Sequence, residues 1–78
     1  MDVKELKAAA DLFRPVLVRI PISGGAQKYV LCRRIQAVCW VVPEGQGGFW
    51  AAECIENKSG AVYRVRAEDI REDLHEYE

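Results

Sequence analysis

The side chains able to perform covalent or acid–base chemistry are few and scattered along the 78-residue chain. Three cysteines, Cys32, Cys39 and Cys54, each lie within an apolar run, and their spacing matches no metal-binding motif. An odd number of thiols in apolar segments is typical of buried, reduced cysteines, so we expect free thiols and a cytoplasmic location. Cys32 or Cys39 would be a nucleophile only in an exposed, electropositive setting. Arg33 and Arg34 adjoin Cys32 and would have to supply that setting.

The single histidine, His75, lies in an acidic segment beside Glu76. His75, Asp73 and Glu76 together would hold a cation only weakly, because nothing nearby is expected to order these three ligands. Ser23 and Ser59 lie in turn-like segments, where hydrogen bonding to the backbone accounts for them. No nucleophile, base and orienting group can be assembled, so we predict no catalytic residues, no metal and no cofactor. An enzyme site formed only at a subunit interface stays open as an alternative.

Charge is distributed unevenly along the chain. Residues 15–43 contain no acid, whereas residues 68–78 contain six acids and one arginine. The sequence is therefore basic in its centre and acidic at its end, while the net charge is only −1. This total does not indicate a protein that binds polyanions over its whole surface.

The elements that must position these side chains are organised around residues 49–66. Residues 49–56 and 61–66 contain aromatic and β-branched side chains, and arginine alternates with apolar or aromatic residues at 63–66, as expected of half-buried strands. The four residues between them, 57–60, are Asn, Lys, Ser and Gly, which favour a turn. The pattern predicts a β-hairpin. Glu53 interrupts the apolar set on its face, which a strand end, a bulge or a partner cation would each explain.

Capping signals predict a helix over residues 2–13. Asp2 and Glu5 have the spacing of a capping box, and Pro15 stops helical geometry just after Phe13. One apolar stripe runs along this helix, formed by Val3, Leu6, Ala10 and Phe13. A helix of about three turns must pack to persist. We therefore expect the stripe to cover an open end of the sheet, with docking of a partner through the same stripe as the alternative.

Two further extended segments precede the hairpin. Residues 16–22 alternate as a first strand, with Arg19 opposite its apolar face and Pro21 marking an edge or a strand end. Residues 28–42 form one apolar run that is long for a flat strand. We expect a single, strongly bent strand that serves two sheets and exchanges its buried face at a bend in residues 33–36. Two shorter strands are the alternative.

The remaining segments complete a single domain over residues 1–78. The Gly-rich loop at 43–48 lacks the spacing and the following helix of a phosphate-binding loop. Residues 67–72 predict one helical turn with Ile70 packed beneath the sheet, followed by an acidic tail to residue 78. No apolar run approaches the roughly 20 residues that span a bilayer, and no signal peptide is expected, so we predict no membrane contact.

The order of helix, bent strands, Gly-rich loop, hairpin and the closing segment Val65-Arg66-Ala67-Glu68-Asp69-Ile70 resembles the small β-barrel class, which includes SH3-like and Sm-like folds. This resemblance implies a mainly β protein with a small antiparallel barrel of four to five strands over residues 16–66. An N-terminal helix at 2–13 would precede the barrel, and the helical turn and acidic tail at 67–78 would follow it. A shared fold does not by itself confer a function.

Protein binding is the first functional hypothesis. A small barrel with excess apolar strand surface fits a non-catalytic binding or accessory module, which acts through protein–protein contacts or as a homo-oligomer. Aromatic residues and arginine are the usual anchors of such interfaces. We therefore predict that Trp50, Arg64 and Arg66 contact the partner.

Nucleic-acid binding is the alternative hypothesis. It requires a strip of cations with aromatic side chains that stack on bases. The candidate residues, with Trp50 as a further stacking side chain, are Arg19, Lys28, Tyr29, Arg33, Arg34, Arg64 and Arg66. The acidic tail would compete with phosphates for these cations.

Overall fold

The computed structural model of the chain describes residues 1–72. The elements, in chain order, are α1 (Val3–Asp11), β1 (Val16–Pro21), β2 (Gln27–Val41), β3 (Phe49–Glu56), β4 (Val62–Arg66) and β5 (Ile70–Arg71), with 3-10 turns at Ser23–Gly25 and Ala67–Asp69. The protein is thus mainly β with one N-terminal helix, as predicted. Most of the acidic tail, with His75 and its weak cation site, lies outside the described residues.

The five strands form one antiparallel sheet in the order β4-β3-β2-β1-β5. Within residues 1–72, β4 and β5 are the two edges and do not pair with each other, so the sheet is not closed and the predicted barrel is not confirmed. Only two residues form β5, and both pair with β1. None of the helices in this part of the chain is long and apolar enough to cross a membrane.

The long strand β2 is continuous and irregular in its middle. Its pairing with β3 shifts register between Cys32 and Arg34 and again between Ile35 and Ala37. Such irregularities bend a strand and change which residues face inward. The inward residues are accordingly three apart at Cys32 and Ile35, both buried. This irregularity lies within the predicted bend at residues 33–36, and two separate strands are not formed. The second register shift returns even-numbered residues to the core at Val38, opposite Ala52, so the inward change is limited to Ile35. The predicted lasting exchange of the buried face is therefore wrong, and β2 belongs to one sheet instead of two.

The helix α1 covers one face of the sheet. Leu6 and Ala9 are fully buried there, in a core shared with Val18, Ile35 and Ile70. At nine residues the helix is too short to be stable alone, so this packing holds it in place.

The capping box predicted for the helix is present. Asp2 Oδ1 accepts a hydrogen bond from the Glu5 amide at 2.8 Å, and Glu5 Oε1 accepts one from the Asp2 amide at 3.5 Å. The bond from the Glu5 amide is the main cause that lowers the pKa of Asp2. These contacts satisfy backbone donors that a helix start would otherwise leave unpaired.

Phe13 corrects the predicted helical stripe. The helix ends at Asp11. Phe13 has a φ of 53°, and the residue is 64% exposed instead of packed on the sheet. The Phe13 amide donates to the Ala10 carbonyl and the Arg14 amide to the Ala9 carbonyl, which is the Schellman pattern of a helix end. Glycine usually occupies this left-handed position, and a bulky residue there costs about 1 kcal/mol.

The central hairpin is confirmed as β3 and β4. The turn between them is closed by the Glu56 amide, which donates to the Ala61 carbonyl at 2.8 Å, and Gly60 supplies a φ of 74°. Ser59 Oγ donates to the Glu56 carboxylate at 2.6 Å and accepts from the Ala61 amide at 3.1 Å. The hydroxyl of Ser59 thus has the turn-stabilising role that its position suggested.

Candidate binding surfaces

Trp50 lies on the side of the sheet that the helix covers. It pairs directly with Trp40 across β2 and β3, and the two indole rings meet edge to face with centroids 5.3 Å apart. The ammonium of Lys7 lies 5.1 Å from the Trp50 ring centroid. Trp50 is partly buried against the core, whereas Trp40 is 53% exposed. The pair therefore forms an aromatic end to the β2–β3 ladder.

Arg66 lies on the other side of the sheet, paired with Ala51. Its guanidinium carbon is 4.0 Å from the centroid of the Phe49 ring, a cation–π contact, and its Nη1 is 4.0 Å from a carboxylate oxygen of Glu68. The partner Phe49 is uncharged, and the contact with Glu68 is long and exposed. Arg66 therefore keeps capacity for another anionic or polar group.

Trp50 and Arg66 nevertheless meet at one groove, at the end of the sheet beside the start of the helix. This groove, here called the amino-terminal groove, encloses about 370 Å³ and is lined by Met1, Asp2, Val3, Phe49, Trp50, Arg66, Ala67 and Glu68. The amino group of Met1 donates to the Ala67 carbonyl at 2.9 Å, which fixes one wall. The groove combines two aromatic rings, one arginine and two carboxylates.

Arg64 is outside this groove. It pairs with Glu53 on the outer face of the sheet, where Arg64 Nη2 donates to Glu53 Oε2 at 2.8 Å. That contact is the largest cause of the raised pKa of Arg64. The predicted trio is therefore divided: the amino-terminal groove gathers Trp50 and Arg66, and Arg64 has a carboxylate partner elsewhere.

The residues proposed for nucleic-acid binding lie on several separate surfaces. Arg19 donates through Nε to Asp69 at 3.1 Å, and this partner raises the pKa of Arg19. Lys28 and Tyr29 line a small groove of about 190 Å³ near the β3–β4 turn, and Arg71 lies over the Tyr29 ring. These residues do not share a groove with Arg66.

Two more cations of that set lie at the bend of β2. Arg33 is exposed, and Arg34 is partly buried with its guanidinium carbon 5.4 Å from the Phe13 ring centroid. Arg34 lines a third groove of about 420 Å³, here called the helix-end groove, with Lys7, Ala10, Asp11, Phe13, Ile35, Gln36, Ala37 and Val38. The residues of the predicted basic strip are thus dispersed: some line three different grooves, Arg19 and Arg64 are paired with carboxylates, and Arg33 lines none of these grooves.

The cysteines are free, as expected, and Cys32 and Cys54 are fully buried. The contact with Cys32 and the burial raise the pKa of the Cys54 thiol. Cys39 is only partly buried. Within residues 1–72, no group of three His, Cys, Asp or Glu side chains is arranged to hold a metal ion.

Sequence reasoning missed Trp40, Lys7 and the exposure of Phe13. The Trp pair had a detectable signal, because positions 40 and 50 are equidistant from Gly45 in the Gly-rich loop and would face each other in a hairpin centred on that residue. The exposure of Phe13 had no such signal in the sequence, because the spacing of Phe13 continues the helical stripe beyond Asp11, where the helix ends.

Comparison of the chain with protein-family models, curated proteins and solved structures finds no match.

Proposed function

We propose that this protein is a non-catalytic binding module that acts through protein–protein contacts at the amino-terminal groove. The observation that carries the proposal is the convergence of Phe49, Trp50 and Arg66 on one open concavity of about 370 Å³. Aromatic and arginine side chains in a concave setting are typical anchors of protein interfaces. A small domain also gains stability from association, so self-association is one form of the proposal.

The electrostatics of the groove favour a partner with mixed polarity. Arg66 presents a cation at its rim, while Asp2 and Glu68 contribute carboxylates. Phe49 and Trp50 supply apolar area that a partner side chain would cover. A partner that places an apolar group between the rings and a carboxylate on Arg66 would satisfy both requirements.

We also propose that the chain is related to the small β-barrel class and that the protein is cytoplasmic. The strand order, with β5 beside β1, and the irregular middle of β2 support the relationship to SH3-like or Sm-like folds. The three free cysteines support a reducing compartment.

A photo-crosslinking residue in place of Glu68 tests the proposal. Position 68 lines the groove and is exposed, so the substituted chain keeps Trp50 and Arg66 intact. In cells that make the protein, we expect one dominant adduct, either with a second copy or with one other protein. Combining the crosslinker with Arg66→Glu should reduce that adduct by roughly tenfold, because the carboxylate reverses the charge at the rim.

The same crosslinker in place of Arg33 serves as the control, because Arg33 is exposed and does not line the amino-terminal groove. Equal adduct yields at positions 68 and 33 would contradict the proposal. An adduct at position 68 that survives Arg66→Glu would also exclude this groove as the contact surface. Light scattering of the unsubstituted protein separates self-association from binding to another protein.

A further inference from the structure

Phe13 occupies a position that the fold alone would give to glycine. Its φ of 53° and the two hydrogen bonds of the Schellman pattern are backbone requirements of the turn from α1 into β1. The phenyl ring contributes little burial in return, because 64% of the residue is exposed. A strained residue with an outward aromatic side chain points to a role beyond packing.

The ring of Phe13 forms one wall of the helix-end groove. Ala10 on α1 and Val38 on β2 give this groove further apolar lining. Its volume of about 420 Å³ is open to solvent and within the size range of sites that accept a few side chains. The irregular middle of β2 shapes the opposite wall, since Arg34 and Ile35 lie at its register shifts.

The charge of the groove is positive. Arg34 and Lys7 both line it, against the single carboxylate of Asp11. Within residues 1–72, neither cation forms a salt bridge; each lies instead over an aromatic ring, Arg34 over Phe13 and Lys7 over Trp50. A guanidinium held over a ring keeps its planar donors available for a carboxylate.

We propose that the helix-end groove binds a segment of a partner protein that presents an aromatic or leucine side chain next to an acidic one. The apolar side chain would pack between Phe13 and Val38, and the carboxylate would accept hydrogen bonds from Arg34. This site is separate from the amino-terminal groove and goes beyond the function proposed for it.

Selection of peptides from a random linear library on the full chain tests this assignment. We expect the enriched peptides to combine Asp or Glu with a neighbouring aromatic or leucine residue. In fluorescence anisotropy, the strongest of these peptides should bind Arg34→Glu roughly tenfold or more weakly than the unsubstituted protein. Arg33→Glu makes the same charge change one residue away, outside the groove, and should leave the affinity unchanged.

Phe13→Gly separates a binding role from a structural one. Glycine removes the strain at this φ, so the variant should have a higher midpoint of chemical denaturation and yet bind the peptide more weakly. A residue kept for packing would show the reverse, with lower stability and unchanged binding. Lower stability with unchanged peptide binding would therefore overturn the proposal.

Three other outcomes would also overturn it. No enrichment, or enriched peptides without acidic residues, would remove the proposed chemistry. Binding that is lost on Arg66→Glu but kept on Arg34→Glu would assign the peptides to the amino-terminal groove. A rise in peptide affinity on removal of residues 73–78 would assign the helix-end groove to that acidic segment of the chain instead.

Discussion

The carboxylate of Glu53 accepts a hydrogen bond from Arg64 at 2.8 Å and a second from Gln36 at 3.3 Å. These contacts join the middle of β2, β3 and β4 on the outer face of the sheet. They explain why an acidic residue interrupts the apolar set of its strand. They lower the pKa of Glu53, with the bond from Arg64 as the largest cause.

Glu53→Gln should lower the midpoint of chemical denaturation at neutral pH, because Arg64 loses its charged partner. A carboxyl group whose pKa is lower in the folded state stabilises the fold above its ordinary pKa, and that contribution is lost as the pH falls through the lowered value. The difference between the two proteins should therefore shrink on acidification. A difference in stability that grows at acidic pH would contradict this role. The control is Glu68→Gln, which makes the same change at an exposed site whose contact with Arg66 is long.

Gly48 should tolerate no side chain without movement of Trp40. A Cβ built at Gly48 would overlap the Cζ2, Cε2 and Nε1 atoms of the indole, so Gly48→Ala must displace the ring from Trp50. We expect a changed near-ultraviolet circular dichroism signal and a destabilisation of about 1 kcal/mol. Gly47→Ala is the matched control, since nothing lies within 4 Å of its Cβ position. Identical spectra for both variants would show that the indole pair is not held by this contact.

Local features of the fold were predictable from the sequence because neighbouring residues determine them. The capping box of Asp2 and Glu5, the hairpin turn at residues 57–60 and the bend at 33–36 depend on side chains within a few positions of one another. The end of the helix was not predictable in this way. The apolar spacing that reaches Phe13 continues past Asp11, and only the geometry of the turn into β1 shows that the ring faces outward.

Placement of the candidate site depended on strand register, which the sequence leaves open. A slip of one residue between β3 and β4 would exchange the faces of every side chain on one strand. The observed pairs, Ala51 with Arg66 and Glu53 with Arg64, put both arginines on the face opposite Trp50. The open edges of the sheet were likewise not predictable, because closure depends on whether strands distant in sequence pair with each other.

Leu6 should be the residue of the helix that matters most for stability. Its side chain is fully buried between α1 and the sheet, in a core that contains only apolar residues among residues 1–72. Leu6→Ala should lower the free energy of unfolding by about 2–5 kcal/mol. Leu12→Ala removes the same atoms from a site that is 59% exposed and should change it by less than about 0.5 kcal/mol. Equal effects in urea denaturation would show that the helix does not pack as described.

The three thiols should differ in reactivity in the folded protein. Iodoacetamide should modify Cys39 first, because it is only partly buried, whereas Cys32 and Cys54 are inaccessible. The raised pKa of Cys54 further reduces its thiolate fraction. Mass spectrometry of native and urea-unfolded samples measures this order, and Cys39→Ser should remove nearly all labelling of the native protein. Labelling of Cys54 before Cys39 would show that the core opens readily.

Nucleic-acid binding would leave a clear signature in its salt dependence. Six cations on one strip would give a slope of about −4 for a single strand in a plot of log affinity against log salt concentration. We expect a much shallower slope, because Arg19 and Arg64 have carboxylate partners, while Lys28, Arg34 and Arg66 line three different grooves. Titration of a fluorescent single-stranded oligonucleotide, with and without residues 73–78, measures it. A steep slope that Arg33→Glu and Arg66→Glu each reduce would instead show that a partner strand brings these distant cations into one interface.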